Sequence, residues 1–506
     1  MNKFLSSLSN ATNYTYTENG ALTHKTTTSN LLDLFALGGA YRTRSNEDIV
    51  LLFKNAYEEN PVYALKCLFY LRDARSGQGE RKFFRTCMHW LASAHTEAAA
   101  RNMVHIPEYG RWDDFYLFVG TPLEAEAFSV IKTQLALDVQ CKTPSLLAKW
   151  LKSENASSSE TKKLGSITRK YLGMSHKEYR KTLSILRERI NILERLMSEG
   201  RWDEIEFDKI PSKAGLIYRN AFARHDVERM KAAKEEVVSY ADFAKDAATK
   251  VNAKALYPYE VVAKVVSKTS GGWFGNSYTV HMDETERAMV NKYWDNLTDY
   301  FNGATFNGLA VVDTSGSMNG TAASAPINVA ISLGLYCAEK ASGPFAGHYV
   351  SFASRPQLIK TEGVDFVDKV RRVYATNLVD NTNIEATFDL LLGTAIANNC
   401  SQEDLPQNLI VISDMEFDYA RTGRNIPQET LMEGIEKRWA AHGYKMPNLV
   451  FWNVDARQNN IPMTVKNGIT FVSGMSPVIF EQIMKGKTAY DLMMDKLDSP
   501  RYEVIH

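Results

Sequence analysis

The sequence predicts a multidomain protein in which an all-α, helical-repeat N-terminal region precedes a doubly wound α/β domain. The chain has 506 residues, more than a single hydrophobic core usually organises. Between residues 31 and 265, apolar residues recur at spacings of three and four, as on one face of a helix. After residue 305, short apolar strands alternate with helical stretches, which is typical of a parallel sheet covered by helices.

These patterns divide the chain into four segments. Residues 1–30 are rich in Thr, Ser and Asn and lack helical periodicity, so we expect an extended N-terminal arm. Residues 31–265 form the predicted helical region. Residues 266–304 form a hinge and a connector helix, because 267–275 has the Gly- and Ser-rich composition of a loop. Residues 305–506 form the predicted α/β domain.

Two features of the helical region bear on its architecture. Residues 177–197 are predicted to form one amphipathic helix, with Leu183 and Leu186 on its apolar stripe. The tetrapeptide Gly-Arg-Trp-Asp at 110–113 recurs at 200–203, where Gly can end one helix and Asp can cap the next. This repetition favours stacked helical hairpins with structural tryptophans, but four residues are too few to establish a regular repeat.

Composition and charge narrow the possible functions. Lys plus Arg and Asp plus Glu both total 59, so any site for a polyanion must come from local clustering. The five cysteines are far apart and form no Cys-x-x-Cys pair, which indicates a reduced compartment and argues against a disulfide framework or a zinc site. No apolar run approaches the roughly 18–20 residues of a membrane span, and a secretory signal is lacking. We therefore expect a cytoplasmic protein without membrane contact.

Oxygen-bearing side chains follow two predicted strands of the α/β domain and open one of its helices. The strands are 308–312 and 408–413. Ligands of an open parallel sheet bind at the carboxyl ends of its strands, so these side chains are expected to converge. Hard oxygen donors of this kind suit Mg²⁺ or Mn²⁺. The five candidate ligands are Asp313, Ser315, Ser317, Thr382 and Asp414. The alternative is that the same groups only cap turns and helices; Thr376 also competes with Thr382.

This ordered set resembles the metal-ion-dependent adhesion site of von Willebrand factor A (vWA) domains, over about residues 305–506. The resemblance implies a Rossmann-like vWA fold whose bound cation keeps one position open for a partner's carboxylate or phosphate. Further stretches, at 69–81, 179–187, 210–214 and 256–258, are similar to an uncharacterised family that joins a helical region to a vWA domain.

The layout of that family is similar to the TROVE-domain Ro autoantigen family, whose HEAT-like helical repeats close into a ring that binds small RNAs. The resemblance implies a ribonucleoprotein whose partner is a small non-coding or misfolded RNA. The RNA-contacting residues of Ro cannot be aligned onto this helical region, so none are assigned by resemblance.

Local charge favours RNA binding independently of that resemblance. Between residues 142 and 189, twelve Lys or Arg stand against four Glu, and phosphates bound there would release counterions. A second basic cluster flanks a Gly-Gln-Gly loop at 77–79. The candidate RNA contacts are Arg72, Arg75, Arg81, Lys82, Lys177, Arg180 and Lys181. The alternative is that these side chains are merely solvated or brace the helices by pairing with Asp. No sequence-reading motif is present, so binding would follow RNA shape, ends or single strands.

No catalytic or nucleotide-binding motif is found, so we expect a non-enzymatic protein. The first hypothesis is an RNA-binding helical scaffold with a Mg²⁺-dependent vWA domain. The second is a protein-interaction scaffold without RNA, in which the cation captures an acidic partner, for example in viral or phage assembly or in a host interaction. A metal-dependent nuclease is the third, and no general base for it can be identified.

Overall fold

The computed structural model describes residues 12–233, 236–268, 277–279, 281–352, 355–376, 383–418, 430–483 and 487–506. The chain divides into two compact units. The first, here called the sheet unit, comprises Met1–Cys67 and Leu256–Arg501. The second, the helical unit, comprises Leu68–Ala255 and Tyr502–His506. A helical region followed by a mainly parallel sheet domain is therefore confirmed, but residues 31–67 belong with the sheet rather than with the helical region.

The strands lie in the sheet unit. In chain order they are β1 (Tyr14–Tyr16), β2 (Leu22–His24), β3 (Val266–Lys268), β4 (Ser277–Thr279), β5 (Gly308–Asp313), β6 (His348–Phe352), β7 (Leu358–Lys360), β8 (Asn408–Ser413), β9 (Asn448–Asn453) and β10 (Ile469–Ser473). Six of them form one sheet in the order β10-β9-β8-β5-β6-β7. All neighbours in it are parallel except β6 and β7, so β7 is an antiparallel edge strand.

The sheet is buried because helices cover it. All six residues of β5 are buried, and the helix Pro326–Lys340 packs against that strand. Apolar residues on every position of a strand are typical of a parallel sheet covered on both faces. The helices of the sheet unit are Asn30–Leu37, Asn46–Glu59, Pro258–Val265, Glu284–Asp295, Pro326–Lys340, Phe366–Thr376, Ile384–Ala397, Leu431–Ala441, Phe480–Ile483 and Ala489–Leu497, and Pro61–Arg72 crosses the unit boundary.

Residues 12–30, which belong to the extended arm expected from composition, are instead built into the sheet unit. β1 and β2 pair antiparallel, and the backbone N–H and C=O of His24 bond to the backbone of Ile461 at 3.1 and 3.0 Å. Ser29 caps the helix Asn30–Leu37, in which seven of eight residues are buried. The polar composition of this segment thus reflects turns and caps, while its few apolar residues enter the core.

The helical unit contains only helices and connecting turns among its described residues. Its helices are Arg81–Ala94, Thr96–Met103, Ile106–Tyr109, Glu124–Gln140, Leu147–Trp150, Ser159–Leu172, His176–Arg189, Leu193–Ser198, Ser212–Ala232 and Tyr240–Lys245. The single helix predicted for 177–197 is wrong, because the chain turns between His176–Arg189 and Leu193–Ser198. Asn191 lies there at φ 47°, a left-handed conformation that Asn tolerates better than most residues.

The two Gly-Arg-Trp-Asp segments differ in their turns. Gly200 has φ 70°, as predicted for a helix end, but Gly110 does not. Gly110 is instead needed for space, because a Cβ there would lie 2.4 Å from a carboxylate oxygen of Asp114. Both tryptophans are half-buried, Trp112 against Phe115 and Trp202 in a stack with the ring of His225 at 4.1 Å. The structural role predicted for the tryptophans fits these contacts.

The remaining helices and cysteines agree with a globular interior. The connector helix predicted within residues 266–304 runs over Glu284–Asp295. Within the described part of the chain, no helix combines the length and the apolar character that crossing a bilayer requires. All five cysteines are free, and burial raises the pKa of the Cys67 and Cys337 thiols.

Candidate functional site

The carboxyl ends of two neighbouring strands place four of the five predicted metal ligands at one edge of the sheet. β5 ends at Asp313 and β8 ends at Ser413, directly before Asp414. The Asp313 carboxylate accepts a hydrogen bond from the Ser315 backbone N–H at 2.9 Å and another from the Ser413 hydroxyl at 2.6 Å. The hydroxyl oxygens of Ser315 and Ser317 lie 3.0 Å apart. The four predicted ligands at this edge are Asp313, Ser315, Ser317 and Asp414.

The electrostatics of this edge suit a cation. Asp313 is 0% exposed and Asp414 2% exposed. Burial raises the pKa of Asp313 to about 7, and the charge of Asp414 adds to the increase. Two carboxylates in a buried position repel each other, so a bound positive charge would stabilise their ionised forms. The donor set of carboxylates and hydroxyls therefore fits a hard divalent cation.

The candidate ligands combine hydroxyl oxygens with carboxylates, so they do not form a cluster of acidic side chains. No group of three or more His, Cys, Asp or Glu side chains arranged for a metal occurs among the residues that the structure describes. The site depends instead on hydroxyl oxygens of Ser315 and Ser317 together with two carboxylates. Thr382 lies outside the described residues, as do the atoms of the competing Thr376 side chain.

The start of the helix after Thr382 is described and matches the expectation for that segment. Asn383 caps the helix Ile384–Ala397, because its side chain accepts a hydrogen bond from the Ala386 N–H at 2.9 Å. A helix therefore does open directly after position 382.

Charged residues that the sequence did not single out surround Asp414. Arg457 donates to the Asp414 carboxylate at 3.1 Å, and Glu416 is 0% exposed. Burial raises the pKa of Glu416 to about 7. Burial also raises the pKa of Asp455, which accepts a hydrogen bond from the Thr43 hydroxyl at 2.8 Å. The only sequence signal for Glu416 was its place two residues beyond a strand-end aspartate.

The N-terminal segment reaches the same edge of the sheet. The Thr17 hydroxyl donates to the Phe417 carbonyl at 2.6 Å, and the Glu18 N–H donates to Glu416 at 2.7 Å. Arg457 joins the two parts, since its second terminal nitrogen lies 2.6 Å from the Glu18 carboxylate. These contacts fix the residues that follow β8.

Three of the candidate RNA contacts share one exposed helix face. Lys177, Arg180 and Lys181 lie on the helix His176–Arg189, here called the basic helix, at spacings of three and four. All three are exposed, and within the described part of the chain they have no hydrogen-bond or ion-pair partner. Ser175 and Glu178 form a capping box that fixes the start of this helix.

The second basic cluster is partly structural. Arg72 is 3% exposed and its guanidinium pairs with the buried Asp114 at 2.7 Å. The Arg72 charge therefore braces the helical unit, which is the alternative that the sequence left open for this cluster. Arg75, Arg81 and Lys82 are exposed, and Arg75 bonds to Glu108.

Comparisons with known proteins place the chain among uncharacterised relatives. Residues 307–501 match the family model of a domain of unknown function, DUF7788. "Uncharacterized protein L728" of Acanthamoeba polyphaga mimivirus is 28% identical over 517 residues, covering 94% of this chain and 85% of that protein. The crystal structure of the Deinococcus radiodurans Ro (RSR) protein matches with 13% identity and a TM-score of 0.37, covering 93% of this chain and 99% of that one. A TM-score of this size does not establish a common fold.

The family model of a second domain of unknown function, DUF2828, matches residues 17–143 and 133–303. These two matches overlap and together run from residue 17 to residue 303, which is more than half of the 506 residues. The chain therefore belongs to the DUF2828 family.

Proposed function

We propose that this protein is a non-enzymatic RNA-binding scaffold, whose helical unit holds structured or aberrant small RNA and whose sheet unit is a vWA-type domain that binds Mg²⁺ or Mn²⁺. The observation that carries the RNA proposal is that Lys177, Arg180 and Lys181 share one exposed helix face and have no partner among the residues that the structure describes. Free Lys and Arg side chains bind phosphates with release of counterions, and they need not break an existing ion pair to do so.

Several other Arg side chains of the helical unit form ion pairs with carboxylates. Arg195 pairs with Glu199 at 2.6 Å, and Arg229 pairs with Asp226 at 2.9 Å. Such pairs cancel charge locally and are satisfied without a ligand. Lys177, Arg180 and Lys181 of the basic helix face solvent and have no such partner among the described residues, which supports their use as a phosphate-binding surface.

The vWA assignment is supported by strand order and by the position of the ligands. Among the strands of the six-stranded sheet, β5 comes first along the chain, and it lies between β6 and β8. The carboxyl ends of β6 and β8 therefore lie on either side of Asp313. The residues that would hold the cation are Asp313, Ser315, Ser317 and Asp414, with Thr382 as the fifth expected ligand. When bound, the cation would supply a positive centre that attracts a carboxylate or a phosphate.

Charge reversal on the basic helix tests the RNA proposal. The triple variant Lys177→Glu, Arg180→Glu, Lys181→Glu is expected to bind a hairpin RNA with a single-stranded tail at least about tenfold more weakly. The slope of log affinity against log salt should fall by about three, because three phosphate contacts are lost. Fluorescence anisotropy over a salt series measures both quantities, and the melting temperature reports on the fold.

A matched variant separates a defined surface from general attraction. Lys162→Glu, Lys163→Glu, Lys170→Glu changes the same charge on exposed side chains of the neighbouring helix Ser159–Leu172. Equal loss in the two variants would contradict a defined face on the basic helix. RNA binding that survives the first variant with an unchanged salt slope would contradict the proposal altogether.

A second candidate function is metal-dependent capture of an acidic protein partner without RNA. It is favoured by the buried pair of Asp313 and Asp414 beside two hydroxyls, because neutral ligands leave a cation able to attract a partner's Asp or Glu. Partner capture from native extract should then be lost when EDTA is present. Equal capture with and without EDTA would reject this candidate.

A further inference from the structure

A cavity of about 660 Å³ lies in the helical unit beside the basic helix. Cavities that hold small ligands typically measure roughly 300–1,000 Å³. Arg180, Leu183, Ser184 and Arg187 line it from the basic helix, at spacings that place them on one helix face. Lys149, Ser153, Glu154 and Asn155 also line it. The cavity is therefore large enough for a molecule of nucleotide size.

The ionised side chains that line the cavity carry a net positive charge. They are the cations of Lys149, Arg180, Arg187 and Arg195 and the carboxylates of Glu154 and Glu194. Glu154 is engaged by Arg169 at 2.9 Å and by His176 at 2.8 Å. Glu194 lies 3.6 Å from the Lys149 ammonium. Both carboxylates thus have cationic partners of their own.

Two positive charges remain after these pairs are counted. Arg195 forms an ion pair with Glu199, with 2.6 Å between the Arg195 Nε and the Glu199 carboxylate. Arg180 has no hydrogen-bond or ion-pair partner among the residues that the structure describes, and Arg187 has no carboxylate partner among them. Arg180 and Arg187 are about two turns apart on the same face of the basic helix, and both line the cavity, so their charges act on the same space.

Arg187 is held in a fixed position by neutral acceptors. Its guanidinium donates to the carbonyls of Ala148 and Leu151 at 2.9 and 3.0 Å and to the Ser153 hydroxyl at 3.1 Å. These bonds use three of its five N–H donors and leave its charge uncompensated. Burial accordingly lowers the pKa of Arg187. A rigid, partly buried cation of this kind stabilises an anion that enters the cavity.

We propose that this cavity binds a phosphate monoester of nucleotide size, with the phosphate at Arg180 and Arg187 and the remainder against Leu183 and Ile192. A phosphate monoester carries a charge of about −1.5 to −2 at neutral pH, which matches the two uncompensated guanidiniums. The phosphate belongs either to a free mononucleotide or to the 5′-phosphorylated end of an RNA. The second source rests on the proposed function, because it requires the basic helix to hold the RNA.

Calorimetric titration of the full chain with adenosine 5′-monophosphate tests the cavity. Adenosine, which lacks the phosphate, should bind at least about tenfold more weakly. Arg180→Gln should weaken binding of the monophosphate by about tenfold, because a charged hydrogen bond is lost. Lys163→Gln removes the same charge from an exposed side chain of the helix Ser159–Leu172, which is not on the cavity lining, and should change binding less than about twofold.

A second arm distinguishes the two sources of the phosphate. Short oligoadenylates that carry either a 5′-phosphate or a 5′-hydroxyl are compared on the same variants. Preference for the phosphorylated end, lost in Arg180→Gln but kept in Lys163→Gln, identifies the end of an RNA as the ligand. Binding of the monophosphate without such a preference identifies a free nucleotide.

Two results overturn the proposal. One is the absence of monophosphate binding, and the other is equal loss in Arg180→Gln and Lys163→Gln. If monophosphate binding is absent while hairpin RNA still binds through the basic helix, the cavity assignment fails and the proposed function stands. If the monophosphate binds while hairpin RNA does not, the proposed function fails and the cavity binds a free nucleotide.

Discussion

Deletion of residues 1–44 is expected to prevent the sheet unit from folding. The helix Asn30–Leu37 alone contributes five large apolar side chains to the buried core. Burial of each one stabilises a protein by roughly 1.5–3 kcal/mol, so their sum is comparable to the roughly 5–15 kcal/mol that holds a typical domain together. Circular dichroism during heating and limited proteolysis of the 45–506 fragment measure the effect.

A pair of identical substitutions gives a graded version of this experiment. Leu34→Ala, at a position 0% exposed, should cost roughly 2–5 kcal/mol of unfolding free energy. Leu51→Ala, at a position 58% exposed in the next helix, should change the unfolding free energy by less than about 0.5 kcal/mol. A 45–506 fragment that melts cooperatively at the temperature of the full chain would show that the N-terminal residues are not part of this core.

Asp313→Asn is expected to remove binding of Mg²⁺ and Mn²⁺ to the sheet unit. The amide keeps the shape of the side chain but lacks the negative charge, so affinity should fall by about a hundredfold or more. The full chain should gain thermal stability when either cation is added, and the variant should not. Asp404→Asn, at an exposed position in the same unit, is the matched control and should behave as the unmodified protein.

The pH dependence of cation binding provides a second readout of the same carboxylate. A ligand must be ionised, and burial beside Asp414 raises the pKa of Asp313 from 3.8 to about 7. Affinity for Mg²⁺ should therefore decrease as pH falls from 8 to 6. In the cation-free protein, the stabilising effect of this raised pKa is complete below pH 3.8 and is lost as pH rises through about 7. Equal affinity at pH 6 and pH 8 would contradict the assignment of Asp313 as a ligand.

The sheet and part of its polar edge could be predicted because their signals are local. An apolar run of four residues followed by a polar residue defines each of β5 and β8, and adjacency of those strands brings Asp313 and Asp414 to the same edge. The contribution of the N-terminal segment could not be predicted in this way. Thr17 bonds to Phe417 across 400 positions of the chain, and no periodicity records such a contact.

Local patterns also cannot separate paired charges from free ones. Arg72 and Arg180 both lie in basic stretches, yet Arg72 finds Asp114 forty-two positions away and Arg180 finds no partner in the described chain. The turn at Asn191 could not be predicted either, because the local pattern does not change there. The apolar spacing continues through Leu193 on its far side, so the pattern alone reads as one helix.

The sheet unit combines the first 67 residues of the chain with residues 256–501. This combination affects how the protein folds while it is being synthesised. β2 cannot bond to Ile461 until 437 further residues have been made, which at about 5–20 residues per second takes roughly 20–90 s. During that time the apolar helix Asn30–Leu37 has no sheet to pack against. Nascent chains should therefore need a chaperone that shields this segment while the ribosome completes the protein.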